Sequence, residues 1–327
     1  MANCTVDEAM APWVVVAVVN YSIVCVLGGI GNICSIWCLY QCKRTKPAMK
    51  FQLICVFSLM AACCLITQPV VNFIYYSNTF CLHDISPVVS FCFSVTNSVL
   101  LQMDRTIFAT VAIFRMVAVR WPNRYTQWCR LQVVVAVHVG IVLYIVPVWL
   151  ALGGVMGFQL FREEGSVMDM KNNRGGGAFT VTIYVLYYAV PYLVTLSASI
   201  VIVRRLLQQK QVFGNVATSS LDYVVRSTTL IILVLLVMDL PHIVLHTSQN
   251  KGPPSVIIHI IFEYHLIVVP IIFVTYNPSH RGAMLRLLHR CLPPVCRQVL
   301  PPPPSPSVAK CDTVEMRASH KFTTIAQ

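Results

Sequence analysis

The stretch Trp13–Tyr40, "WVVVAVVNYSIVCVLGGIGNICSIWCLY", runs 28 residues without an acidic or basic side chain. A helix needs about 20 mostly apolar residues to cross a bilayer. Such a run suits lipid, where every backbone polar group must be bonded within the segment. Similar runs follow near 52–76, 87–119, 131–153, 178–203, 227–247 and 255–277. The reading is an all-α chain with seven membrane spans over 13–277, preceded by a short segment 1–12. Composition agrees: 57% of residues are apolar and 11% charged, against about 25% charged in soluble domains.

Two spans are interrupted. The third holds Asp104, Arg105 and Arg115, and the sixth holds Asp239 and His242. Ionisable groups in a span are costly and mark function.

Charge sets the expected orientation, because cytoplasmic loops collect Lys and Arg. Lys43, Arg44, Lys46 and Lys50 follow the first span; Arg120, Arg124 and Arg130 follow the third; Arg204, Arg205, Lys210 and Arg226 follow the fifth. The other side has Arg162, Lys171, Arg174 and Lys251 beside Glu163, Glu164 and Asp169. The N-terminus is therefore expected outside and the C-terminus in the cytosol, as an odd number of spans requires. The net charge of +12 belongs to the face beside anionic lipid and needs no nucleic acid. "MANCTVDEAMAP" is too short and acidic for a signal peptide, so the first span serves as its own signal. Asn3-Cys4-Thr5 is a glycosylation sequon on the outer side, whereas Asn20-Tyr21-Ser22 lies inside a span.

Seven of the 14 cysteines sit within spans, where they act as small apolar residues. Cys4, Cys81 and Cys92 can meet the oxidising side, which leaves a Cys4–Cys81 bridge open. Segment 278–291, "PSHRGAMLRLLHRC", reads as a short amphipathic eighth helix. Cys291 and Cys296 beside it suit palmitoylation. Residues 292–327 are proline-rich and expected to be disordered, with Ser305, Ser307 and Thr313 among the hydroxyls open to phosphorylation.

In order along the chain, "GGIGNICSIW", "ITQPVV", "FRMVAVRWPNRY", "YYAVPYLV", "VMDLPHIV" and "VVPIIFVTYNPSHRGAMLRLLHRC" resemble the landmarks of rhodopsin-like (class A) G-protein-coupled receptors. The resemblance covers roughly residues 13–291, and its departures suggest a divergent orphan or chemosensory member. It implies a plasma-membrane receptor whose cytoplasmic cavity opens around Arg115 to admit a heterotrimeric G protein, with arrestin as a further partner. Pro122 would end the third helix, and Asp222 could pair with Arg115 across the bundle. Asn32, Pro241 and Pro270 match the first-, sixth- and seventh-helix landmarks. Asp104, eleven residues and three turns before Arg115, matches a serine that lies near a sodium ion in the family, and so implies Na+ near Asp104 with His265 close by. Arg105 and Asp239 fall at the activation switch, where a pair would lock the third helix to the sixth. Glu263 takes the place of the retinal-binding lysine of opsins, which argues against a photopigment. With His259, Tyr184, Tyr187 and Tyr188, it is expected to face a pocket for a small-molecule or peptide ligand.

The departures lie at defined residues. Phe114 replaces the acidic neighbour of the arginine, Asp239 the sixth-helix tryptophan, Val269 and Phe273 the Asn and Tyr around Pro270, and Met60 or Ala61 the second-helix aspartate. Ser90 stands where the third-helix cysteine belongs. A receptor-like protein that no longer couples is thus one alternative, and a transporter or channel using Asp104, Arg105, Asp239 and Glu263 is another. No enzyme motif is present: His-Glu-x-x-His, Gly-x-Ser-x-Gly and the P-loop are all missing.

Overall fold

The computed structural model describes residues 10–42, 45–82, 85–163, 182, 184–213, 227, 229–248 and 253–291. Within them the chain is helical, with no strand. The helices are α1 (Ala11–Gln41), α2 (Pro47–Thr79), α3 (Pro87–Arg120), α4 (Pro122–Trp128) and α5 (Leu131–Glu163). After these come α6, from Val185 to Phe213; α7, over 229–248; α8 (Pro253–Tyr276); and α9 (Pro278–Cys291).

Five helices are long and apolar enough to cross a membrane: α1, α2, α5, α6 and α8. Their outward faces carry bare apolar side chains; Leu143 is 67% exposed and Leu150 70%. Water would not tolerate so large an apolar surface, and the protein is membrane-embedded. α3 is 34 residues long but carries internal charges, and the apolar stretch of α7, Thr229–Leu245, is shorter. α3 occupies the centre, packed along α6, α2 and α5, while α1 lies against α2 and α8.

Proline explains much of the local geometry. α1, α2, α3 and α4 each open with proline in the first or second helical position, where its missing N–H costs nothing. Pro122 therefore begins a new short helix. α3 has already ended at Arg120, through the non-helical Trp121. Segment 278–291 is helical, as α9, but its Cys291 side chain is not described.

Inside the spans proline acts differently. It removes one rung of the hydrogen-bond ladder and crowds the preceding turn. α2, α6 and α7 each respond with a π turn, Cys63–Thr67, Val185–Ala189 and Leu235–Asp239. Each ends two residues before a proline, Pro69, Pro191 or Pro241. α8 breaks instead at Tyr264, between Glu263 and His265.

Pro270 also leaves the Leu266 carbonyl without its helical donor, because that donor would be the N–H four residues on. The Asn32 amide supplies it. Its Nδ2 donates to the Leu266 carbonyl at 3.1 Å and to the Gly28 carbonyl at 2.7 Å. The close approach of α1 requires Gly28: a Cβ there would lie 2.8 Å from Cys64 Sγ and 3.4 Å from the Leu266 carbonyl oxygen. Asn32→Leu is expected to lower stability by about 1–3 kcal/mol, because it strips a buried carbonyl of its partner. Thermal unfolding in lipid nanodiscs checks this. An unchanged melting temperature would show that another donor serves Leu266. Asn20 works at the same interface, accepting a hydrogen bond from the Tyr264 hydroxyl at 2.9 Å.

Candidate functional site

Two features of the interior carry chemistry. The first is a polar cluster at mid-bundle. α3 presents Asp104 and Arg105 there, both buried. The π turn of α7 ends on Asp239, whose Oδ1 lies 2.9 Å from Arg105 Nη2. The guanidinium also sits 5.4 Å from the centre of the Phe262 ring, a favourable cation–π placement. Asp104, Asp239 and Glu263 all lie within electrostatic reach of this one guanidinium.

The three carboxylates are held differently. Asp239 has the ion pair. Glu263 accepts a hydrogen bond from the Gln68 side chain of α2, and its Oε2 has no hydrogen-bond partner among the described residues. Asp104 is 1% exposed, and neither of its oxygens has a hydrogen-bond partner among the described residues. A buried carboxylate without donors is expensive. The charge of the adjacent Arg105 acts on Asp104, but no hydrogen bond joins the two.

His265 is fully buried. Its Nδ1 lies against the Phe262 carbonyl, and Nε2 has no partner among the described residues. No hydrogen bond joins it to Asp104. Among the described residues, no three of His, Cys, Asp and Glu are grouped to hold a metal ion. The Asn32 amide nitrogen is committed to backbone carbonyls, while its Oδ1, like both Asp104 oxygens, has no hydrogen-bond partner among the described residues.

Aromatic rings close the cluster on the side away from the basic loops. His242 stacks on Phe262 at 3.8 Å and meets His259 edge-on at 5.0 Å. Tyr184 stacks on Tyr188 at 4.9 Å, and both approach His242. Tyr184, Tyr188, His259 and Glu263 thus gather about one region. Tyr187 does not join them, because it turns to α5 and pairs with the Tyr144 ring at 5.0 Å.

Sequence reasoning passed over several of these partners. His242 stands out in the sequence only as an interruption of its span, and Phe262, one residue from Glu263, does not stand out at all. Thr67 on the α2 π turn bonds Asn97 at 2.6 Å, and Gln102 accepts from Trp149 Nε1 at 2.6 Å. Polar residues on inward faces were the available signal.

The second feature is a cavity of about 100 Å³ at the basic end of the bundle. Five helices wall it, contributing Val56 (α2), Ala112 and Arg115 (α3), Ser199 (α6), Ile231 (α7) and Phe273 (α8). Arg115 is the one charged residue among its lining. Phe114 beside it is buried with Ala48, Val117, Tyr125, Cys129 and Val134. The residue before Arg115 therefore ties α3 to α4 and α5 by apolar packing and offers the arginine no carboxylate. Lys46 Nζ lies 4.6 Å over the Tyr125 ring at the same end.

Asn3, Cys4, Asp222 and Cys296 lie outside the described residues. Cys81 is disulfide-bonded. Among the described cysteines of the spans, Cys25, Cys38, Cys55, Cys63 and Cys64 are free thiols.

No family model matches this chain, and no curated protein matches it.

Proposed function

We propose that the chain is a seven-span receptor of the rhodopsin-like type, with its basic end in the cytosol, and that it passes an extracellular ligand signal to heterotrimeric G proteins. The observation that carries this reading is the five-walled cavity around Arg115. A transducer needs an entry at the cytosolic face, a charged anchor inside it, and walls that belong to separately movable helices. The cavity's place at the basic end, Arg115 as the one charged residue of its lining, and walls from five helices support this reading.

In this reading α3 and α7 are the two remaining spans, and α9 lies along the membrane surface as the eighth helix. The aromatic group of Tyr184, Tyr188, His242 and His259, with Glu263 below it, is the ligand region. Arg105 and Asp239 join that region to the cytosolic half through α3 and α7. The apolar packing of Phe114 takes over the restraint that an acidic neighbour gives in the family. Arrestin binding to the phosphorylated tail and palmitoylation at Cys291 follow from the same topology.

The test is unstimulated G-protein dissociation in cells, across the G-protein classes, with wild type and Arg115→Ala compared at matched surface expression. A basal signal in the wild type that falls to background in the variant is expected. A signal that survives the substitution removes Arg115 from the mechanism. Ion or solute flux without any G-protein response would favour a transporter built on the buried carboxylates.

A further inference from the structure

Among the described residues three spans contain a π turn, and of these the turn of α7 ends on a charged residue. A π turn bonds i to i+5 and so takes in one residue more than an α turn. Closing it to α would rotate one half of the helix against the other by about 100°, the angle of one residue. The two halves of α7 have different anchors. The half after the turn holds His242, stacked on Phe262. The half before it holds Ile231, in the wall of the cavity.

Asp239 sits where the halves meet. If the turn were α and the first half kept its packing, Asp239 would point where Leu240 now points. That face is exposed; Leu240 is 39% accessible. Arg105 would lose its partner, and a carboxylate would face lipid. Both changes are unfavourable. The ion pair therefore stabilises the π form beyond what Pro241 does by crowding the same turn, and without it closing no longer strands a charge.

We propose that the Arg105–Asp239 pair holds the α7 π turn open, and that loss of the pair lets the turn close to α, rotating the basic-end half of α7 so that Ile232 takes the place of Ile231 in the cavity wall. The direction follows from the count. With the half after the turn fixed, each residue before it moves to the angular position of its predecessor. Events at the polar cluster would in this way reshape the cavity without tilting the helix. The inference concerns α7 itself and holds whether or not a G protein enters that cavity.

The test is thiol accessibility in the full-length protein in lipid nanodiscs. Ile231→Cys and Ile232→Cys are introduced singly, labelled with a charged methanethiosulfonate, and read peptide by peptide by mass spectrometry, so that the native cysteines are scored apart. With the pair intact, position 231 is expected to label faster than 232. In the Arg105→Met/Asp239→Leu background the order is expected to reverse. Asp239→Asn carries the same reading if the double variant does not melt cooperatively. A second arm deletes Val237, an exposed residue of the turn. Deletion removes the extra residue and leaves both faces where they are. Position 231 should then stay the faster one with or without the ion pair. An unchanged order after removal of the pair at native length overturns the proposal, as does a reversal that persists in the deletion background.

Discussion

Arg105→Met is expected to lower the stability of the protein by about 3–5 kcal/mol, the cost of leaving one partner of a buried ion pair alone. The partner left behind is Asp239, held 2.9 Å from the guanidinium and nearly inaccessible. Asp104 and Glu263 lie within reach of the same guanidinium, so its removal takes away the one cation that the described residues bring to the three carboxylates. Loss of the cation–π contact with Phe262 adds to the effect. Asp239→Leu is expected to cost a similar amount, by stranding Arg105. The double variant Arg105→Met/Asp239→Leu should recover most of the loss, because the two residues share one interaction and their effects do not add. Thermal unfolding of the four proteins in nanodiscs forms a double-mutant cycle. Strict additivity would mean that the pair contributes nothing as a pair.

Asp104→Leu is expected to act in the opposite direction. Both carboxylate oxygens are buried and lack donors among the described residues. Replacing an unsatisfied polar group with an apolar one of similar shape returns its desolvation cost, about 1–3 kcal/mol. The substitution should raise the melting temperature even though it removes a charged residue from the heart of the bundle. A fall would mean that Asp104 is held in the membrane by donors or a cation. A fall that vanishes in sodium-free buffer would identify that cation as sodium.

The apolar runs make the helices legible from sequence, since composition alone decides what lipid tolerates. α1 and α5 show this most plainly, with α1 free of charge over nearly its whole length. The basic loops mark one end of the bundle, and the cavity around Arg115 opens at that end. The response of each helix to its prolines is less legible. Pro69, Pro191 and Pro241 stand in the sequence, but nothing local dictates that they sit behind π turns while Pro147 lies within an α-helix and Pro270 within α8. The outcome depends on which neighbour supplies the missing hydrogen bond. For Pro270 that neighbour is Asn32, on a helix more than 200 residues away in the chain. The stacking of His242 on Phe262 is hidden for the same reason, because it needs α7 and α8 in register. Phe114 is visible as a departure, but its packing partners on α4 and α5 come only from the fold.

The most direct test of the receptor reading is to fill the cavity. Ala112 is buried in its wall, and Ala112→Phe places a ring in the space beside Arg115. Wild type and variant, purified in nanodiscs and matched for cooperative melting, are compared for capture of nucleotide-free heterotrimeric G proteins. Capture by the wild type and none by the filled variant is the predicted result. Equal capture by both, or none by a well-folded wild type with any G-protein class, would contradict the claim that this cavity is where a transducer enters.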